Sequence, residues 1–114
     1  MTSIFCIFVV EIKIGMIKRI VKLELQADKV EDFQTIFAES KMKILAREGC
    51  FHVELLRSKS PDNVFFTFSL WETEDALNAY RHSEMFKDVW PRTKDCLANP
   101  AEAWSTQLDD APWQ

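Results

Sequence analysis

The chain has 114 residues, of which 47% are hydrophobic and 28% are charged. This length suits one domain with a single core, and the composition excludes an intrinsically disordered chain. The net charge is −4, and no run of Lys or Arg exceeds two residues. Because phosphate binding needs clustered positive charge, nucleic acid and an anionic membrane surface are both disfavoured as partners.

The cysteine and histidine content argues against a metal site. The three cysteines, Cys6, Cys50 and Cys96, form no Cys-X-X-Cys pair, so neither a disulfide framework nor a structural zinc site is expected. Two histidines are too few for most histidine-based metal sites. No motif suggests a metal bound by carboxylates either, so we expect no metal. We expect reduced thiols in a cytoplasmic protein.

The first fifteen residues differ from the rest of the chain. Residues 4–10 form an apolar run that is too short to cross a bilayer as a helix, which takes ~20 residues. No basic residue precedes this run, as a secretory signal would require. We expect residues 1–15 to be an N-terminal extension or a mis-assigned start before Met16; an extra edge strand is the alternative. The domain is then expected over residues 16–110, with a tail over 111–114.

The first predicted elements are a strand and a helix. Residues 17–25 alternate apolar and polar side chains, which predicts a half-buried strand. Asp28 is the expected helix N-cap, and Glu31 completes a capping box. Phe33 and Phe37 belong to an apolar stripe at helical spacing, so we expect the helix to run to about residue 47, with Gly49 as its stop.

A hairpin and two further helices follow. Residues 50–57 and 64–71 read as strands joined by a Ser-Pro-Asp-Asn turn. Thr73 and Ser83 are expected to cap two short helices, the second bent or split by Pro91. Residues 102–108 predict a last strand. The order β-α-β-β-α-β indicates an α+β, ferredoxin-like fold, an antiparallel sheet with helices on one face.

The third predicted strand is apolar on both faces. Phe66, Phe68 and Leu70 lie on one face, while Phe65 and Trp71 lie on the other. A sheet with helices on one face should show polar side chains on its open face. The apolar residues there predict a second cover, and sheet-on-sheet packing in a homodimer would supply it.

One stretch of the chain resembles a known signature. Residues 71–80 (WETEDALNAY), followed by 83–86 (SEMF), resemble the antibiotic-biosynthesis-monooxygenase-like family, as does the junction between Gly49 and Cys50. The resemblance covers about residues 16–108. It implies a ferredoxin-like fold that pairs into a dimeric α+β barrel, with a pocket between sheet and helices in each subunit.

The resemblance implies several activities. Some members oxidise aromatic phenols or quinols with oxygen and no cofactor, and this is our first hypothesis. The haem-cleaving branch relies on residues whose positions here hold Val21, Tyr80 and Trp90, so haem cleavage is rejected. Other members isomerise small phosphorylated ketones. The alternative is therefore an isomerase, or a dimeric module that binds a small metabolite without oxygenase activity, with cations supplied by Arg19, Arg57 or Arg81.

Oxygenation of a phenol needs a base or hydrogen-bond donor beside the phenol oxygen and an apolar pocket around the ring. The candidate catalytic residues are His52, Trp71, Tyr80 and His82. The candidate pocket residues are Phe51, Phe66, Phe68, Phe86 and Trp90. Each also has a structural interpretation: the histidines as surface, interface or capping residues, and the aromatic side chains as core.

Overall fold

The computed structural model describes residues 15–109. The predictions made for residues 1–14 and for the tail over 111–114 lie outside the described residues. A short 3-10 turn spans Ala27–Lys29. The elements, in chain order, are β1 (Ile17–Glu24), α1 (Val30–Leu45), β2 (Cys50–Arg57), β3 (Val64–Trp71), α2 (Glu74–Arg81), α3 (Glu84–Lys94) and β4 (Glu102–Thr106).

The strands form one antiparallel sheet in the order β2-β3-β1-β4. Strand β1 pairs with β3 from Ile17 opposite Trp71 to Glu24 opposite Val64, and it pairs with β4 along its other edge. Together with the β-α-β-β-α-β order, this topology confirms the predicted ferredoxin-like α+β fold. It also makes β1 and β3 the central strands, so each of them is hydrogen-bonded to a neighbour along both edges.

The two faces of the sheet have different surroundings. Side chains of Leu23 and Phe65 face the helices and are buried, as period-two alternation requires. The opposite face carries Phe68, with Leu56 and Trp104 at 47% and 45% exposed. The face away from the helices is therefore apolar and, within residues 15–109, incompletely covered. The homodimer inferred from this pattern stays a prediction.

The prediction for the start of α1 was wrong. Asp28 is not its N-cap but lies inside the 3-10 turn, and the helix begins at Val30 after Lys29, with no side-chain cap hydrogen bond. The reason is a tight turn in which the amide of Lys29 donates to the carbonyl of Gln26 at 2.9 Å. That turn places Asp28 one residue before the N-cap position, and its carboxylate does not cap the free amides of the following helix.

The ends of several elements also differ from expectation. Helix α1 ends at Leu45 rather than near residue 47, since the amide of Arg47 already donates to Ile44 in a tight turn. Strand β4 ends at Thr106 rather than at residue 108. Pro91 does not split α3, which continues to Lys94. A proline removes one backbone donor, and the rest of the hydrogen-bonded ladder carries the helix past it.

The predicted caps of the two short helices are confirmed. The hydroxyl of Thr73 accepts a hydrogen bond from the amide of Ala76 at 3.1 Å, and that of Ser83 accepts from the amide of Phe86 at 3.2 Å. Each cap satisfies an amide that the first helical turn would otherwise leave unpaired. These caps fix where α2 and α3 begin, and so where their inward side chains lie.

The core consists of two apolar clusters between sheet and helices. Trp71 and Leu77 belong to a cluster at one end, and Phe33 and Phe65 belong to a second cluster at the other. Phe37 packs against both. Side chains of both clusters line one cavity, which therefore lies where the clusters meet.

Candidate functional site

A cavity of about 300 Å³ lies between the sheet and all three helices. Its floor comes from β1, β2, β3 and β4, and its roof comes from α1, α2 and α3. This volume is at the lower end of the range of small-molecule sites. The aromatic side chains that line it are Phe33, Phe37, Tyr80, Phe86 and Trp90.

A row of aromatic rings forms one wall of the cavity. The ring of Tyr80 meets that of Phe86 edge to face at 5.2 Å between centroids, and Phe86 stacks on Trp90 at 5.9 Å. Aromatic pairs in these arrangements are mutually stabilising and restrict one another's rotation. The wall is therefore a preformed apolar surface suited to an aromatic ligand.

Tyr80 combines a place in this wall with a polar group. Burial raises the pKa of Tyr80 to about 12, assisted by the nearby Cys50 and opposed by the positive charge of Arg47. The phenol therefore stays protonated across the physiological range. It can donate a hydrogen bond to a ligand oxygen, but it is not a base near neutral pH.

Two arginines form a cationic end of the cavity. Arg19 projects from β1 and donates through Nη1 to the hydroxyl of Ser105 at 2.8 Å, and Arg81 comes from the last turn of α2. Burial, and then the positive charge of Arg81, lower the pKa of Arg19. An arginine starts so high that it remains charged. Among residues 15–109, neither guanidinium has a carboxylate partner, and no Asp, Glu or His lines the cavity.

Two small polar residues of β3 complete the floor, and sequence reasoning did not identify them as site residues. Thr67 and Ser69 line the cavity on the covered face of the sheet. The hydroxyl oxygen of Ser69 accepts a hydrogen bond from Trp71 Nε1 at 2.9 Å. The sequence signal that could have identified them is the alternation of β3. It puts both hydroxyls between Phe65 and Trp71, on a face where apolar residues are expected.

The structure brings some of the predicted site residues together. Tyr80, Phe86 and Trp90 all line the cavity. Trp71 lies behind this wall, fully buried, with its indole stacked on Tyr80 at 5.2 Å. It supports the position of Tyr80 and does not itself line the cavity.

Other predicted residues lie on the open face of the sheet. His52 bonds through Nε2 to Glu54 and sits edge-on to Phe68 at 6.2 Å, outside the cavity lining. Phe66 and Phe68 share that face with it because they alternate with the cavity-lining residues of β3. Phe51 lies at a bulge of β2 and is 43% exposed. Roles of these residues in catalysis or substrate contact stay predictions.

His82 and Arg57 also lie apart from the cavity lining. His82 is exposed at the end of α2, where Nδ1 bonds to the carbonyl of Asn78 at 2.7 Å. A carbonyl only accepts, so this nitrogen carries the proton. Arg57 donates to the carbonyl of Asp62 at 2.7 Å and lies 5.0 Å from the ring centroid of Phe65. A catalytic role for His82 stays a prediction.

Within residues 15–109, no group of three or more His, Cys, Asp or Glu side chains is arranged to hold a metal ion. The same part of the chain contains no helix that is long and apolar enough to cross a membrane. The burial of Cys50 and Cys96 raises the pKa of both thiols, which disfavours the reactive thiolate.

Solved structures of similar fold were found by comparison of coordinates. A conserved protein from Methanosarcina mazei has 20% identity and a TM-score of 0.81, with 84% of this chain and 95% of that chain covered. A candidate antibiotic biosynthesis monooxygenase from Caulobacter crescentus has 23% identity and a TM-score of 0.79, with 85% and 92% covered. A second such candidate, from Bordetella bronchiseptica, has 26% identity and a TM-score of 0.74, with 82% and 97% covered.

Sequence comparison gives one curated relative and a family match. The uncharacterised protein sll1783 of Synechocystis is 27% identical in an alignment of 84 positions that covers 70% of this chain. The match spans 54% of that protein, so the chain corresponds to about half of its length. The profile of the antibiotic biosynthesis monooxygenase family matches residues 16–91. This range contains β1, α1, β2, β3, α2 and most of α3. The chain belongs to the antibiotic biosynthesis monooxygenase family.

Proposed function

We propose that this protein is a cofactor-independent monooxygenase that oxidises a small aromatic phenol or quinol with molecular oxygen. The observation that carries the proposal is the cavity of about 300 Å³ with an aromatic wall and a protonated Tyr80 within that wall. Family membership supports a role in monooxygenation or small-molecule binding.

Binding would use the aromatic wall. A planar ring laid against Phe86 and Trp90 removes apolar surface from water on both partners, and each Å² removed contributes roughly 25 cal/mol. Phe33 and Ile36, on α1, supply apolar contact from the roof. A ligand that fills the cavity displaces water from the reacting ring, which protects a radical pair from side reactions.

The chemistry requires an electron-rich phenolate and oxygen only. Tyr80 donates a hydrogen bond to the substrate oxygen, and the positive charges of Arg19 and Arg81 favour the ionised form. The phenolate transfers one electron to oxygen, and the two radicals combine at a ring carbon. The ring loses two hydrogens and gains one oxygen atom to become a quinone. The second oxygen atom leaves as water, which balances the reaction without a further reductant.

Oxygen uptake tests this proposal directly. Purified protein is mixed with a panel of hydroquinones and polycyclic phenols, and the rate is compared with the non-enzymatic background. Tyr80→Phe keeps the ring in the wall and deletes only the donor. Since removal of one preorganised donor to a developing anion costs on the order of 10²-fold in rate, we expect a loss of at least about tenfold.

The predicted histidines provide the comparison. His52→Ala and His82→Ala are measured beside Tyr80→Phe, because both histidines lie outside the cavity lining. A large loss in either histidine variant, with Tyr80→Phe unaffected, would assign the proton transfer to that histidine instead. Absence of uptake above background across the panel would contradict the oxygenase proposal.

A second function is favoured by one specific observation. The part of the cavity built by residues 15–109 contains no histidine or carboxylate. The pKa of Tyr80 is about 12, so its phenol stays protonated near neutral pH. No group among those lining residues is therefore suited to remove a substrate proton near neutral pH. An isomerase with a base from elsewhere, or a module that only binds a small metabolite, would bind ligand without consuming oxygen.

The homodimer belongs to the same proposal. The apolar open face, with Leu56, Phe68 and Trp104, would be covered by the equivalent face of a second copy. A large apolar patch on a single chain is otherwise unfavourable in water. Light scattering behind a sizing column is the test, and a clean monomer at micromolar concentration would contradict it.

A further inference from the structure

We infer that Arg19 and Arg81 form an anion-binding end of the cavity, and that the ligand is an aromatic carboxylate. The inference rests on the proposed use of this cavity as a small-molecule site and names the class of molecule that enters it. It holds whether the bound molecule is oxidised or only bound.

The first argument is the charge balance of the cavity. Arg19 is partly buried beside Arg81, so desolvation and repulsion both act on it, and both lower its pKa. An anion between the two guanidiniums would relieve the repulsion and restore hydrogen bonds to the charged form. The chain is acidic overall, with a net charge of −4, yet no acidic side chain of the described residues lines this cavity. The two positive charges are thus left for a ligand.

Some surface cations of the described chain are paired with carboxylates. Arg92 lies 3.3 Å from Glu39 and 3.5 Å from Asp88. Lys87 lies 3.5 Å from Glu84. These cations sit on the surface and have carboxylate partners, whereas the two cavity arginines have none among residues 15–109. Most other Lys and Arg side chains of residues 15–109 also lack a carboxylate partner, but they do not line the cavity. The two cavity arginines are distinguished because they line one largely apolar cavity together.

The second argument is the placement of hydrogen-bond donors. Arg19 lies opposite Ser69 on β3 and opposite Ser105 on β4, so two hydroxyls flank it across the sheet. The oxygen of Ser105 already accepts from Arg19, and that of Ser69 accepts from Trp71. The hydroxyl proton of each serine therefore remains available to a second acceptor. Arg19 is held by one Nη1 bond, which leaves its other N–H groups available for a carboxylate.

The third argument separates a carboxylate from a phenol. A phenol enters a site uncharged and gains its charge only after ionisation, so it does not neutralise the two arginines on entry. A carboxylate is ionised at neutral pH. The aromatic wall lies at Phe86 and Trp90, on α3, while the cations come from β1 and the end of α2. One molecule with an aromatic ring and a carboxylate fits both ends of the site.

Binding calorimetry with three matched probes tests the inference on the full chain. The probes are naphthoate, naphthamide and naphthyl phosphate at neutral pH, which share one ring system and differ in the charged group. Charge-assisted hydrogen bonds contribute enough that we expect naphthoate to bind at least about tenfold more tightly than naphthamide. Added salt should weaken the binding of naphthoate and leave that of naphthamide nearly unchanged.

Charge variants locate the effect. Arg19→Gln and Arg81→Gln should each weaken naphthoate binding about tenfold or more and should change naphthamide binding little. Arg92→Gln is the matched control, because it removes the same charge from a surface position outside the cavity lining. Arg19→Lys keeps the charge and loses the planar fork, so its affinity should lie between those of the native chain and Arg19→Gln. Circular dichroism checks that each variant is folded.

Several outcomes would overturn the inference. These are equal affinities for naphthoate and naphthamide, no binding of either probe, an equal loss in Arg92→Gln, or tighter binding of naphthyl phosphate than of naphthoate. If a variant fails to fold, the three probes on the native chain still decide. The oxygenase proposal fails separately: selective naphthoate binding without oxygen uptake from any phenol would refute oxygenation and leave the anion site in place.

Discussion

Gly49 provides the sharpest test of how the helix layer is held against the sheet. Its φ is +82°, and a Cβ atom built on it would lie 2.6 Å from the Cβ of Ala76 in α2. The carbonyl of Gly49 also accepts a hydrogen bond from the amide of Glu72 at 2.7 Å. An alanine at position 49 would therefore be strained in its backbone and would collide with an atom that no rotamer change can move.

The expected loss of stability has two parts. A left-handed backbone costs a residue with a Cβ roughly 1–2 kcal/mol relative to glycine. Overpacking of this kind typically costs about 1–3 kcal/mol, because α2 must shift away from the sheet. The lower entropy of the unfolded alanine chain offsets about 0.4–1 kcal/mol. We therefore expect Gly49→Ala to reduce the free energy of unfolding by about 2–4 kcal/mol.

Urea unfolding measures this quantity, and two further variants separate its parts. Ala76→Gly in the Gly49→Ala background removes the collision and keeps the strained backbone. A glycine inside helix α2 itself lowers the free energy of unfolding by about 1 kcal/mol. After this correction, the double variant should regain the part of the free energy of unfolding that the overpacking had removed. Gly15→Ala is the matched control, since Gly15 also has a positive φ, +108°, but has nothing within 4 Å of an added Cβ.

The reasoning would be refuted if the free energy of unfolding of Gly49→Ala differed from that of the native chain by less than about 0.5 kcal/mol. A difference that small is typical of an ordinary surface substitution. An absence of coupling between positions 49 and 76 would refute the collision alone. Because α2 carries Tyr80 and Arg81, a shift of this helix should also disturb the cavity.

Further predictions concern ionisation and assembly. Burial raises the pKa of Tyr80 to about 12, above its ordinary value of 10, so its contribution to stability is full below pH 10 and is lost as the pH rises through 12. Tyr80 is the only tyrosine, so tyrosinate absorbance should titrate near 12, and a midpoint near 10 would contradict this. Because the pKa values of both thiols are raised, Cys50 and Cys96 should be alkylated far more slowly in the native protein than in urea. Peptide mass spectrometry measures both rates, and equal rates would contradict the burial of the two thiols. Trp104→Lys should convert a dimer into a monomer in light scattering, while Met42→Lys, 67% exposed on α1, should not; equal effects would count against the open face as the interface.

Much of the fold could be predicted because local patterns decide it. The apolar alternation of β2 and β3 and the caps at Thr73 and Ser83 are each encoded within a few residues. The start of α1 was missed because Asp28 fits two local structures equally well. It suits an N-cap and it suits the 3-10 turn, and only the path of the chain from β1 into the helix layer selects the turn.

The candidate site was harder to predict than the fold. Alternation shows that Phe66 and Phe68 share one face of β3, but not whether that face or the face of Phe65 meets the helices. Both faces are apolar, so their polarity does not decide the question. Tyr80, Phe86 and Trp90 were placed more easily, because a short amphipathic helix has one apolar side and that side faces the core.

The meeting point of the two core clusters has a consequence for how the ligand can be found. A cavity there leaves apolar side chains with few partners until a ligand arrives, so occupancy should stabilise the native state by mass action. At a hundredfold excess over Kd, the stabilisation is about 2.7 kcal/mol. For a domain of this size, it corresponds to a rise in Tm of roughly 10 °C. A melting-temperature screen of a metabolite library would thus report the ligand without any assumption about the reaction.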